Sequence, residues 1–275
     1  EGVEFVKERP DLMILIDCLT LRVDVDIRPV FIYGRYRKLS RGIPQTRWPC
    51  RSCRGRPEGC EACEGTGLQY PDSVQDLIGE PFRLVLSAEN TSFHGMGRED
   101  IDVRCLGRGR PFVLEVKRPK VRRTDLEEVM KAVNSNGADK IEISDLRWTN
   151  RSEVSRVKET RAEKSYTIRF SVEEPPEESF IIESISKLSG VTLEQQTPKR
   201  VSHRRADLTR KRKVVSIDNV VVKESEVQFS VRCEAGTYVK ELIHSDEGRT
   251  VPSVAGVLGS PCEVIWLDVE DIHAD

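Results

Sequence analysis

The chain has 275 residues, 37% hydrophobic and 33% charged, enough for one large domain or a core with a smaller module. Its formal net charge is −2, which excludes nucleic-acid binding by global attraction and leaves only local clustering. No run reaches the roughly 18 apolar residues of a membrane helix, and the opening EGVEFVKERP lacks the apolar stretch of an export signal.

In chain order, the segment LMILIDCLTLRVDVDIRPVFIYGRYRK (12–38) carries the clean alternation RVDVDI and predicts one or two strands. A cysteine-rich stretch runs from Trp48 to Gly67, and Ser73 then caps a predicted helix through SVQDLIGE and PFRLVL. GREDIDVR (97–104) predicts a strand, forming with PFVLEV a hairpin turned at LGRGRP. TDLEEVMKAVNSNG predicts a helix with Thr124 as cap, Glu127 at the capping-box position and SNG as its end. KIEISDLRW and YTIRFSVEE predict strands, SFIIESISKLSG a helix, and VVSIDNVVVKESEVQFSVRCEAG a hairpin. Short helices at YVKELIHS and VPSVAGVLG precede a last strand, EVIWLDV. Strands and helices mix without regular βαβ alternation, so the expected class is α+β with a mainly antiparallel sheet.

Within GREDIDVR, read as a strand, Arg98, Asp100, Asp102 and Arg104 share one face while Ile101 and Val103 take the other. The flanking arginines would keep both aspartates ionised. On pattern alone this is either a salt-bridged strand surface or a site, and Asp100 and Asp102 are equivalent.

CRSCRGRPEGCEAC has the spacing C-x2-C-x6-C-x2-C, and thiolates from Cys50, Cys53, Cys60 and Cys63 satisfy tetrahedral zinc without an open position. One structural zinc is therefore expected, folding a loop too small for its own core. Cys18, Cys105, Cys233 and Cys262 are scattered and read as buried small hydrophobes. That usage fits a reducing compartment, and the expected location is cytoplasmic. Three basic stretches stand out. Residues 33–48 interleave arginines with Tyr33, Tyr36 and Trp48, 117–123 read KRPKVRR, and 199–213 pack eight Lys or Arg into fifteen positions. Cations for phosphates beside flat rings for unpaired bases imply an RNA-binding cleft.

GREDIDVR with LGRGRPFVLEV, KSY at 164–166, AGTYVKELI and GRTVPSV, in this order, resemble the archaeal and eukaryotic tRNA pseudouridine synthase family acting on uridines 54 and 55 of the T-loop. The resemblance covers most of residues 30–270. It implies a pseudouridine synthase-like mixed sheet, an isomerase with no organic cofactor, and tRNA as partner, with no membrane and no obligate protein partner. It implies an aspartate nucleophile, and the spacing to the later blocks favours Asp102 over Asp100. Tyr166 and Tyr238 match the family's substrate-contacting tyrosines, Tyr166 as the ring stacked on the target base and a candidate to deprotonate it. Lys240 matches the basic partner of the aspartate, and Leu267 an apolar residue of the uracil pocket. The implied division is 1–47 as N-terminal strands and basic RNA-contacting segment, 48–70 as zinc knuckle, and 71–275 as catalytic domain. The family's N-terminal THUMP-containing region is expected to be absent, in keeping with a start at Glu1 instead of Met. The competing reading is a non-catalytic zinc-containing RNA-binding protein, which would tolerate loss of the Asp102 carboxylate.

Overall fold

Alternation in the first segment yields a hairpin, β1 (Leu12–Asp17) against β2 (Arg22–Ile27). Its register pairs Leu12 with Ile27, Ile14 with Val25 and Ile16 with Val23, so one face is entirely aliphatic. The hairpin forms its own two-stranded sheet, and Leu12, Ile14, Ile16 and Val23 are exposed. Cys18, expected to be buried, lies exposed in its turn. With β3 (Val30–Lys38) the segment 12–38 holds three strands, because Arg28-Pro29 separates two alternating runs. The computed structural model describes residues 10–274 apart from residues 57 and 59 and the side chain of Arg204. The chain start, which bears on the expected N-terminal truncation, lies outside the described residues.

Next come α1 (Val74–Val85), β4 (Asn90–Gly95), β5 (Arg104–Lys117), α2 (Leu126–Asn136), β6 (Ile141–Thr149), α3 (Arg151–Glu159) and β7 (Lys164–Val172). The second half holds α4 (Glu178–Ser186), β8 (Thr192–Gln196), β9 (Thr209–Lys223), β10 (Glu226–Cys233), α5 (Val239–His244), β11 (Thr250–Val251), α6 (Val254–Leu258) and β12 (Cys262–Ile272). Ser73 caps α1, its Oγ accepting from Asp76 N at 3.1 Å. The cap of α2 is Asp125, one residue past Thr124: its carboxylate accepts from Glu127 N at 2.8 Å and also favours the positive helix end. Asn150 caps α3, a polar helix that apolar periodicity does not reveal.

The main sheet runs β11-β8-β9-β10-β7-β12-β5-β3-β6, with β4 pairing β5. Every pairing is antiparallel except β12 with β5, which meet in parallel at Asp268–Arg104 and Val269–Cys105. That parallel seam joins two apolar cores. One gathers Ile168, Phe170, Phe229 and Leu242 beneath α4, α5 and α6; the other gathers Ile32, Phe82, Phe112 and Leu114 beneath α1 and α2. No helix among the described residues is long and apolar enough to cross a membrane.

Two sequence expectations change at this seam. LGRGRP is no hairpin turn, because β5 runs through it. Gly107 and Gly109 (φ +56° and +77°) let the strand pass its neighbours closely, and a Cβ at Gly109 would sit 2.8 Å from Tyr36 O. The hairpin partner of PFVLEV is β4. Residues 97–103 are accordingly a loop joining β4 to β5, not a strand, so the shared-face argument for Arg98, Asp100, Asp102 and Arg104 does not hold.

Candidate active site

The loop 97–103 is held from below by side chains of the sequence 33–48. Lys38 is fully buried, and its ammonium donates to Ile43 O at 2.9 Å and to Asp100 O and Ile101 O at 3.1 Å each. Burial lowers the Lys38 pKa, and the negative charge of Glu99 offsets part of that shift. Arg41 donates to Asp102 O at 2.7 Å and to Leu267 O at 3.0 Å, tying the loop to β12. Glu99 points inward beside Arg110, with Arg110 Nε 2.8 Å from Glu99 Oε2 and both side chains at most 1% exposed. This contact is one of charge, since Arg110 Nε has no aligned acceptor, while Nη1 donates to Met96 O at 2.8 Å. The Tyr36 hydroxyl donates to Glu99 at 2.9 Å, and Gln45 Nε2 donates to the Tyr36 hydroxyl at 2.8 Å. The basic-aromatic stretch 33–48 is thus largely scaffold. Tyr33 and Tyr36, expected to face bases, are buried, and Arg35 donates to the carbonyls of Ile272 and Ala274.

On the outer side of the loop the carboxylates converge. Lys240 Nζ lies 2.9 and 2.7 Å from the two Asp102 oxygens and 3.6 Å from Asp100 Oδ2. Asp100 also receives Arg200 at 2.9 Å, and Arg200 is anchored by the buried Glu241 at 2.6 Å. Burial raises the Asp102 pKa, but the hydrogen bond and charge of Lys240 reverse this and hold it below the usual value. The arginines within the motif serve elsewhere, which corrects their expected pairing. Arg98 lies over the Trp48 ring, 5.6 Å from its centroid, and Arg104 pairs with the buried Asp268 at 2.6 Å. A turn brings side chains together that strand periodicity would only have aligned.

A cavity of about 440 Å³ opens above Asp102, and Asp102, Tyr166, Tyr238, Lys240 and Leu267 all line it. The size suits a nucleobase with its ribose. Tyr166 stands in β7 between Val231 and Val269, and burial pushes its phenol pKa well up. Tyr238 opens α5, its backbone clamped by Gln195, which accepts from Tyr238 N at 2.9 Å and donates to Tyr238 O at 3.0 Å. One turn of this helix places Lys240 toward Asp102 while Glu241 turns inward to Arg200. The basic run 199–213 is mostly exposed and forms a 3-10 turn (Lys199–Arg204), a short loop and the start of β9, bringing Arg200 and Arg205 into the cavity wall. Arg205 donates to the Tyr238 hydroxyl at 3.1 Å. Pattern reading held Arg41 and Arg200 only as members of basic stretches meant for RNA, and it missed Glu241 and Asp268, whose signal was their place beside Lys240 and Leu267. It also missed Lys164, a cavity lysine whose pKa burial and Arg110 lower to about 8.

The knuckle stands on a short ladder, with Cys50 N donating to Gly67 O at 2.8 Å and Gln69 N to Trp48 O at 2.9 Å. The turn C-x-x-C-x-G occurs twice, and Arg54-Gly55 and Glu64-Gly65 share positive φ values of 50–85°. The two turns bring the four cysteine sulfurs within 4.8 Å of one another, at 4.0 Å for Cys50–Cys60 and 3.8 Å for Cys53–Cys63. A tetrahedron with metal–sulfur bonds of about 2.3 Å has edges of about 3.8 Å, so the sulfurs fit a four-thiolate ion.

The family model described as Pus10, C-terminal, matches residues 31–273. The chain is 48% identical over 265 residues to the tRNA pseudouridine synthase Pus10 of Methanothrix thermoacetophila, covering 96% of this chain and 58% of that protein. It is 45% identical over 269 residues to the tRNA pseudouridine synthase Pus10 of Methanocaldococcus jannaschii, covering 97% of this chain and 58% of that protein. A chain in the crystal structure of a Cbf5-Nop10-Gar1 complex aligns at 19% identity and a TM-score of 0.44, over 72% of this chain and 45% of that one. The chain thus spans somewhat under two thirds of the two archaeal relatives. With the match extending across both cores and the cavity between them, it belongs to the Pus10 C-terminal family.

Proposed function

We propose that this chain isomerises uridine to pseudouridine in tRNA, at position 54, 55 or both of the T-loop, with Asp102 as nucleophile. The observation that carries the reading is the Asp102 carboxylate held ionised by Lys240 at the floor of a base-sized cavity. Attack on the ribose C1′ by the carboxylate breaks the bond to N1, the freed uracil turns, and C5 rejoins C1′ as the carboxylate leaves. The C5 proton departs and N1 gains one, so substrate and product hold the same atoms and no co-reactant enters. Lys240 keeps the attacking oxygens charged and oriented. Leu267 and the ring of Tyr166 offer apolar surface to a uracil that has left its stack, and Tyr238, hydrogen-bonded to Arg205, lines the same cavity. Tyr166 lines the cavity and burial raises its phenol pKa, which supports stacking as its role over proton abstraction.

The test is incubation with an unmodified tRNA transcript and detection of pseudouridine by mass spectrometry or nearest-neighbour analysis. We expect one or two modified T-loop uridines; tight binding without pseudouridine would favour the non-catalytic RNA-binding reading. Tyr166→Phe should retain most of the rate, whereas Tyr166→Leu should lose about 5- to 150-fold, since ring stacking on a base is worth roughly 1–3 kcal/mol. Equal losses in the two variants would assign the hydroxyl a direct part.

We infer further that Cys50, Cys53, Cys60 and Cys63 hold one zinc, in a structural role that leaves 48–70 as a knuckle set into the catalytic region. In this division β3, from the first 47 residues, is scaffold for the 71–275 region. Purified protein should contain about one zinc per chain by the four-thiolate count. Replacing Cys50 and Cys53 by Ser should release the metal and raise hydrogen exchange across the knuckle. A metal-free wild-type chain with a protected knuckle would contradict this.

A further inference from the structure

A second groove, of about 660 Å³, lies at the other end of β3 from the catalytic loop. Val30 and Phe31 line it, whereas Lys38 at the far end of the strand holds the loop of Asp102. Nine residues at about 3.3 Å each put these ends roughly 26 Å apart. Four arginines line the groove against two aspartates, a local positive excess in a chain whose net charge is −2. Arg122 is committed to the fold: it pairs with Asp11 at 2.8 Å and donates to Arg28 O at 2.8 Å, closing the groove beneath the β1–β2 hairpin. Arg123 and Arg151 differ. Both are exposed, and among the described residues neither meets a carboxylate within ion-pair distance. Arg123 lies over Trp148, 4.6 Å from the ring centroid, so a guanidinium and an indole present one surface to the groove.

We propose that this groove binds the phosphate backbone of the substrate RNA at a point remote from the target uridine, with Arg123 and Arg151 as the phosphate contacts. The proposal rests on the reading of the chain as a tRNA-modifying enzyme. Exposed guanidinium groups beside a half-buried indole that lines the same groove are the composition that RNA backbones select. The distance supplies the logic: a folded tRNA extends far beyond its T-loop, so one molecule engages the cavity and the groove together. The stem of a four-pair stem-loop rises only about 14 Å, even at the 3.4 Å per pair of B-form duplex, about half the length of β3, so it offers far less backbone to the groove than a whole tRNA.

The experiment compares a whole tRNA transcript with a four-pair stem-loop carrying the same loop, using the wild-type chain and the double variant Arg123→Gln, Arg151→Gln. For tRNA, Kd and KM should rise about tenfold and the log–log salt slope should flatten by roughly 1.4–1.8, at 0.7–0.9 per lost contact. The rate at saturating tRNA should be unchanged, and so should every constant for the stem-loop. Trp148→Ala should follow the same pattern more weakly. Unchanged tRNA affinity and slope would overturn the proposal, as expected if another polypeptide region covers the groove. Equal losses on both RNAs would also overturn it, by placing the effect at the catalytic cavity or in folding. A wild-type chain that modifies the stem-loop as well as it does tRNA removes the remote contact but leaves the proposed activity standing; one that binds neither RNA removes both.

Discussion

Asp102→Asn is expected to abolish pseudouridine formation while tRNA affinity stays within about twofold. The amide keeps the size of the side chain and its hydrogen bond to Lys240, but it has no carboxylate oxygen with which to attack the ribose. Asp100→Asn is the informative comparison, because both aspartates reach the same ammonium. Asp100 is gripped by Arg200 as well as Lys240 and is 36% exposed, whereas Asp102 has Lys240 alone and is 60% exposed on the cavity side. We therefore expect only partial loss for Asp100→Asn, through release of Arg200 and Glu241. A dead Asp100 variant beside an active Asp102 variant would move the nucleophile by two residues and leave the reaction class intact. Wild-type rates in both would remove the enzymatic reading.

Lys240→Ala should produce a milder form of the Asp102 defect with a distinct pH signature. Burial alone raises the Asp102 pKa and Lys240 reverses the sign, so catalysis by the charged carboxylate persists in acid as long as the ammonium is present. Without it, protonation sets in at higher pH, and the acidic limb of the rate profile should move upward. An unmoved limb would mean that Lys240 does not control this charge.

The largest loss of stability is expected from the pair Glu99–Arg110. Both side chains are at most 1% exposed, and Tyr36, Gln45 and the Met96 carbonyl complete the cluster. Removing one partner leaves a charge with no water and no counter-charge, at a cost of about 3–5 kcal/mol. For a chain of this size that corresponds to roughly 6–20 °C in Tm. Glu99→Gln and Arg110→Met should each show it in denaturant melts. The double variant should cost less than the sum of the two singles, because no unpaired charge remains. A loss below about 1 kcal/mol in either single variant would show that water or relaxation reaches the pair. Since Glu99 adjoins Asp100 and Asp102 in one loop, the surviving folded fraction should also have a reduced rate.

Much of this molecule was legible in one dimension, because local chemistry decided it. The spacing of Cys50, Cys53, Cys60 and Cys63 is set by what a tight turn can chelate, and the four sulfurs do assemble. Ser73 caps α1 because a hydroxyl before an amphipathic run meets the free amides of its first turn. The ordered blocks around Asp102, Tyr166, Tyr238, Lys240 and Leu267 marked residues that one cavity collects from a loop, two strands and a helix.

What one dimension could not supply were the partners. Periodicity assigned Arg98 and Arg104 to the aspartates, yet residues 97–103 turn, and the cations that reach the carboxylates come from residues 200 and 240. Tyr33, Tyr36, Arg35 and Lys38 look like an RNA-binding surface in sequence, but β3 lies in the sheet between β5 and β6: the polar groups of Arg35, Tyr36 and Lys38 find carbonyls and a carboxylate, and the Tyr33 ring lies under Arg147. Residue type and spacing determine which chemistry a chain can carry and where its turns and caps fall, because those depend on neighbours a few positions away. Which charge meets which is decided by strand order and burial, here by the parallel seam of β5 and β12 that sets Asp102 and Leu267 against one cavity.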